Sequence, residues 1–212
     1  MTWINKIAFY RNIRNEVPNQ ELARELANTN NTTGIEEISN YLFDKNTSVA
    51  SDCLKVLYEI GYIKPELIEA YADTFLQLLE SKNNRMVWGS MIALATIAPQ
   101  KADDLYKKID LLLQTIKQGT LITEVWGIKT LVYVSLQNDA YKSRLLPVLF
   151  DYLEKCRPID FATRVETILP AISTPNEKEI MDKIIALKTP ELSESQSKKL
   201  NAALKKHNKQ TK

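Results

Sequence analysis

Apolar positions along the chain fall at helical spacing, and in two places they leave almost no room for polar ones. Residues 85–98, RMVWGSMIALATIA, and 124–136, EVWGIKTLVYVSL, each carry Val-Trp-Gly followed by Ile, Leu and Ala with almost no charge. A helix without a polar face has to be covered on most sides. The two Trp-Gly pairs stand 38 residues apart, so the pattern predicts a stack in which each such helix is sandwiched by its neighbours.

Between these stretches the pattern is amphipathic. Trp3, Ile4, Ile7, Tyr10 and Ile13 share one side of a helix predicted over 3–14. It reads either as the first capping helix of the stack or as a basic amphipathic anchor for a membrane or partner. Pro18 opens a helix over 19–27, and 28–33 reads as a polar linker. Thr33-Gly-Ile-Glu36 has capping-box form and predicts a helix to about residue 44. Further helices are expected over 48–60, capped by Asn46 or Thr47, and over 66–80, with Gly61 in the turn between them. Others are expected over 103–116, 141–155 with a bend at Pro147, and 161–172 closed by Pro170. Thr174-Pro-Asn-Glu177 and Ser193-x-x-Gln196 are capping signals for helices over 178–187 and 197–206.

Counting exposes a repeat. Leu57, Leu94 and Leu131 are each 37 residues apart, as are Ile60, Ile97 and Val134, and Leu79, Ile116 and Leu153 on the partner helices. A fourth copy places Ile168 and Ala171 in the two series at 37, whereas Leu169 and Ile172 at 38 fit better. One helix pair cannot bury its own apolar face; stacking makes one continuous core.

This pattern resembles the HEAT and armadillo class of α-solenoids over roughly residues 33–187. Residues 49–61, VASDCLKVLYEIG, follow the second helix of a HEAT unit, with Ala50 where that pattern has Arg. Val87-Trp88 and Val125-Trp126 put Trp at that place, and Arg164 matches it at a spacing of 38. The resemblance implies an all-α fold, a right-handed α-solenoid of stacked antiparallel helix pairs with about twelve helices. It places one solenoid domain over 1–190, with capping helices over 1–30 and repeats over 33–188. A final capping helix and a Lys-rich tail then occupy 191–212. The chain is also similar in length and repeat number to the HEAT-like DNA glycosylases that excise alkylated bases. That family uses an Asp near Trp residues in a basic cleft. Here the positions one turn after the tryptophans are Ile92 and Thr130, so the active-site match fails.

Charge adds one asymmetry. The whole chain carries +2. From Glu191 onward six lysines against two glutamates give +4, which leaves −2 for residues 1–190. A body without a cationic excess does not favour nucleic acid. Hydrophobic content of 44% and charged content of 25% fit a folded globular chain. Cys53 and Cys156 read as buried thiols in a reducing compartment. No run of apolar residues approaches the roughly 18 of a membrane span, and a cytoplasmic protein is expected.

Catalytic chemistry finds little material. The only histidine is His207, which leaves no His-based triad or His-ligated metal site. There is no glycine-rich phosphate loop. The adjacent acids Asp103-Asp104 and Glu36-Glu37 complement helix dipoles in first turns. No cofactor or metal is expected. Trp88 and Trp126 are either core groups in the seam between repeats or an aromatic ladder on the concave surface. Gly89 and Gly127 beside them permit close helix approach. With Arg85, Lys129 and Arg164 the tryptophans form the candidate partner-binding set. The leading expectation is a non-catalytic scaffold that engages a protein or peptide; the alternative is nucleic-acid binding or base excision.

Overall fold

The computed structural model describes residues 2–210. Among them are twelve α-helices and no strand. The helices are α1 (Val17–Asn28), α2 (Thr32–Ser39), α3 (Thr47–Ile63), α4 (Ala72–Leu78), α5 (Asn84–Ile97), α6 (Ala102–Lys107), α7 (Ile109–Gln118), α8 (Leu121–Ser135), α9 (Asp139–Lys155), α10 (Pro158–Ile168), α11 (Pro175–Lys188) and α12 (Glu194–Gln210). Five short 3-10 segments accompany them. Two compact units divide at Thr130 and Leu131, inside α8.

In the first unit α3 packs between α1 and α5, with α2 against α3 and α4 against α5. The reason lies in α5, where ten of fourteen residues are buried, including Met91, Leu94 and Ile97. Each fully buried Leu or Ile contributes roughly 1.5–3 kcal/mol, so a helix of this composition is stable only when enclosed. In the second unit α10 packs against α9 and α12, and α11 against α9. Pro147 lies inside α9, as the sequence predicts.

The 37-residue register is visible in burial. Leu57, Leu94, Leu131, Ile60, Ile97 and Val134 are all fully inaccessible, and Leu79, Ile116 and Leu153 are buried. In the fourth copy Ile168 and Ala171, at the 37 spacing, are fully buried, and of the pair at the 38 spacing Leu169 is buried and Ile172 half-buried.

Several local expectations are corrected. Residues 3–14 do not form one helix. A 3-10 turn spans Trp3–Lys6, and Asn12 adopts a left-handed φ of 53°. Three of the segment's backbone amides donate to side chains far along the chain. Ile4 N donates to Glu37 Oε1, Ala8 N to Asn19 Oδ1 and Phe9 N to Asp52 Oδ2. For Ala8 and Phe9 tertiary partners thus replace the i−4 carbonyls, whereas Arg11 N still donates to Ile7 O.

The linker at 28–33 shrinks to 29–31. Asn31, and not Thr33, caps α2 by accepting from Gly34 N at 2.7 Å, and α2 ends at Ser39. Gly61 is not in a turn. It sits buried inside α3, which continues to Ile63. A Cβ there would lie 2.2 Å from Thr96 Oγ1, so glycine serves close approach rather than reversal. The helix expected over 66–80 is two 3-10 segments, Pro65–Leu67 and Glu69–Tyr71, followed by α4. The helix expected over 103–116 is broken at Lys108, whose φ of −109° and ψ of 20° separate α6 from α7. Leu105 and Ile109, on either side of the break, are both buried. At the other end α10 begins at Pro158 and gives way to a 3-10 turn at Leu169–Ala171. The capping box at Thr174 and Glu177 is present. At Ser193 and Gln196 each backbone amide donates to the other side chain. Of the Lys-rich tail, Thr211 and Lys212 lie outside the described residues. Cys53 is buried, and Cys156 only half-buried; both are free thiols.

Candidate functional site

Two helices of the first unit, α3 and α5, and the part of α8 up to Thr130, which belongs to the same unit, carry the four aromatic rings that matter here. Tyr58 and Tyr62 are one turn apart on α3, with ring centroids 6.0 Å apart. Trp88 at the start of α5 meets Tyr58 at 6.3 Å. Trp126 at the start of α8 meets Tyr62 at 5.7 Å, the planes tilted by 38°. Such separations suit offset and tilted aromatic pairs. The result is a continuous row, Trp88–Tyr58–Tyr62–Trp126. Tyr58 is buried, both tryptophans are half-buried and Tyr62 is 46% exposed. Close helix packing places the tryptophans. A Cβ on Gly89 would meet Leu54 Cδ2 at 2.7 Å, and one on Gly127 would meet Ile116 Cγ1 at 2.2 Å. The glycine therefore faces the neighbouring helix, and the ring beside it stays at the rim.

Cations accompany the rings at one-turn spacing. Lys55 Nζ lies 4.8 Å from the Tyr58 centroid and Lys129 Nζ 4.5 Å from that of Trp126, within the range of a cation–π contact. Arg85 precedes Trp88 by three residues and is exposed. Lys55 is strongly held, with Glu16 at 2.9 Å and Glu59 at 2.7 Å. Burial alone would lower its proton affinity; the hydrogen bonds to Glu59 and Glu16 outweigh this and hold it above the ordinary lysine range. Burial has the opposite sign for Lys129, which it pulls below that range. It also pushes the Tyr58 and Tyr62 hydroxyls up. A cleft of about 80 Å³ opens beside the row, lined by Glu16, Asp52, Lys55, Tyr58, Arg85 and Trp88 among others. That volume is well below the roughly 300–1,000 Å³ of a small-molecule site. It matches a single side chain.

Of the five residues singled out from the sequence, four fall on this surface: Arg85, Trp88, Trp126 and Lys129. Arg164 does not. It lies on α10 in the second unit and is buried, with 4% exposure. Sequence reasoning missed Tyr58, Tyr62, Lys55 and Glu16. A signal was present: Lys55-x-x-Tyr58, Arg85-x-x-Trp88 and Trp126-x-x-Lys129 each set a cation and a ring three apart, on one helical face. Cys53, close by, is a poor nucleophile, because burial and then Asp52, Asp44 and Glu37 push its thiol up. Among the described residues no group of three His, Cys, Asp or Glu side chains could hold a metal ion, and no helix is long and apolar enough to cross a membrane.

Helix pairs in a 37-residue register, with buried seams of Leu and Ile, define an armadillo- and HEAT-like α-solenoid. Solved structures agree at the level of fold. The chain is similar to a designed armadillo repeat protein in complex with the peptide (KR)4, with a TM-score of 0.64, 14% identity, and 88% of this chain and 85% of that one covered. It is also similar to an engineered protein with a TM-score of 0.61, 15% identity, and 99% and 98% of the two chains covered. A second engineered protein matches with a TM-score of 0.62 and 15% identity over 98% and 99%. No family model and no curated protein matches the sequence.

Proposed function

We propose that this chain is a non-catalytic binding module that docks a protein segment along the aromatic row of α3, α5 and α8. One observation carries the reading: four rings contributed by three helices form a continuous row, and three of them remain partly open to solvent. Core packing alone does not require a half-open row, and Trp and Tyr are favoured anchors where one protein meets another. The armadillo neighbour with its bound peptide supports the same type of use for this fold. The small cleft beside Trp88 supports capture of side chains over capture of a metabolite.

The test is selection of peptides from a random displayed library on the intact chain, followed by titration of the enriched sequences. Trp126→Ala and Trp88→Ala are expected to weaken binding at least about tenfold, equivalent to about 1.4 kcal/mol. Because Trp126 is half-buried, its removal should cost about 2 kcal/mol of stability, below the roughly 3–5 kcal/mol of a fully buried aromatic, so the variant stays folded. Undiminished binding by the double variant would overturn the reading.

A further inference from the structure

The segment before α1, residues 2–16, is tied down at a few points and packed at fewer. Of its side chains only Ile4, Ile7 and Ala8 are buried. Acceptors on three different helices hold its backbone: Glu37 of α2 takes Ile4 N at 3.0 Å, and Asn19 of α1 and Asp52 of α3 take Ala8 N and Phe9 N, both at 2.8 Å. Towards α1 the fit is loose. A gap of about 390 Å³ is lined by Asn5, Lys6 and Arg11 on the segment and by Pro18, Glu21 and Glu25 on α1. Lys6–Glu25 at 2.8 Å and Arg11–Glu21 at 3.5 Å join its two sides, and exposed pairs hold little. Closure also leaves one group unmet. Asn19 is fully inaccessible; its Oδ1 holds Ala8 N, but its Nδ2 finds no partner among the described residues. Water reaching that donor when the segment lifts would offset part of what the three amides lose. From the left-handed Asn12 to Val17 no residue is buried, so the segment can turn about this stretch without disturbing the core.

We propose that residues 2–16 form a strap that opens as one unit while the helices stay folded, and that the closed strap sets the Trp88 end of the aromatic row. Two contacts carry the second step. Asp52, which takes Phe9 N, lines the cleft beside Trp88. Glu16, at the root of the strap, lines the same cleft and pairs with Lys55 at 2.9 Å. Lys55 in turn stands 4.8 Å over Tyr58, the ring that meets Trp88. An open strap takes Phe9 from Asp52 and loosens Glu16 from Lys55, so two side chains of the cleft wall lose their fixed position. The use of this device in docking rests on the aromatic row being the docking surface. A partner that needs the fixed cleft binds the closed strap better, and by the same free energy holds it shut.

The experiment uses the full chain with no ligand added, so its outcome is separate from whether a peptide docks. Hydrogen exchange followed by NMR compares the amides of Ile4, Ala8 and Phe9 in the strap with those of Leu54 and Leu57 in α3. The strap amides are expected to exchange at least about a hundredfold faster than those of α3, at a rate that low urea leaves unchanged, as for a local opening. Glu37→Ala removes the acceptor of Ile4 N and touches no residue that lines the cleft. It should speed exchange at Ile4, Ala8 and Phe9 together, by at least about tenfold, and leave Leu54 and Leu57 as they were. Acceleration at Ile4 alone would mean that the segment frays residue by residue, and it overturns the strap; so do strap amides that exchange only in step with α3. A second readout follows the cleft. With fluorotryptophan incorporated and its lines assigned through Trp3→Phe, Trp88→Phe and Trp126→Phe, the Glu37→Ala change should shift the Trp88 fluorine line. A Trp88 line that stays in place while the strap amides accelerate overturns the control of the cleft by the strap.

Discussion

Gly127 shows how a single residue places the site. It lies in a helix, where alanine is better by roughly 0.8–1 kcal/mol. Yet a Cβ would stand 2.2 Å from Ile116 Cγ1 and 2.7 Å from its Cδ1. Ile116 is β-branched and buried, so it cannot swing aside, and overpacking of this kind costs roughly 1–3 kcal/mol. The clash outweighs the propensity. Gly127→Ala is expected to destabilise the protein by about 1–2 kcal/mol in urea unfolding, and a stabilised variant would show that the seam gives way. The sequence made this glycine visible, because Val-Trp-Gly occurs twice. It did not make Gly61 visible as a contact residue, because the atom it must avoid, Thr96 Oγ1, belongs to another helix. The tyrosines of the row were hidden for a related reason. Tyr58 and Tyr62 occupy the same apolar stripe as Leu54 and Leu57, and only tertiary packing separates a ring that seals the core from one that faces out.

Among the elements, α11 is the one whose start is fixed most completely. Thr174 Oγ1 accepts from Glu177 N at 3.3 Å, and Glu177 Oε2 accepts from the amides of Ser173 and Thr174 at 2.7 and 3.0 Å. Lys142 on α9 adds an ion pair at 2.8 Å. Burial pushes the Glu177 carboxyl up; the Lys142 bond and the two amides outweigh it and bring the group down to about 2 from an ordinary 4.5. A depressed folded-state value stabilises the fold above the unfolded value and ceases to do so as pH falls through the folded one. The contribution of Glu177 should therefore be complete above about pH 4.5 and disappear towards pH 2. Glu177→Gln is expected to lower stability by about 1–2 kcal/mol at neutral pH, with the gap from wild type closing over that acid window. A gap of constant size would refute the assignment. This cap was legible because its partners lie three residues apart. The start of α2 was misread by two residues because Asn31 and Thr33 are both competent caps. Residues 3–14 were misread because their amides are claimed by Asn19, Glu37 and Asp52, which no local pattern announces.

For the whole molecule, periodicity was the legible quantity. Leu57, Leu94 and Leu131 repeat because equivalent seams must be filled, and burial is a property that a spacing can reveal. The breaks at Ile68 and Lys108 change direction without changing burial, so hydrophobic counting passed over them. The register has a further consequence: the length of this chain is quantised. Excision of residues 58–94, one period, fuses the first part of α3 to the end of α5 with every later side chain in phase, because Ala95 then follows Leu57 as it followed Leu94. Excision of one residue fewer turns everything beyond the junction by about 100° and rolls the buried stripe towards water. The in-phase excision should keep its helical circular dichroism and a cooperative melt, and the out-of-phase one should melt at a lower temperature. Equal melting of the two would mean that the seams tolerate rotation. A chain built this way can change its reach only in whole steps.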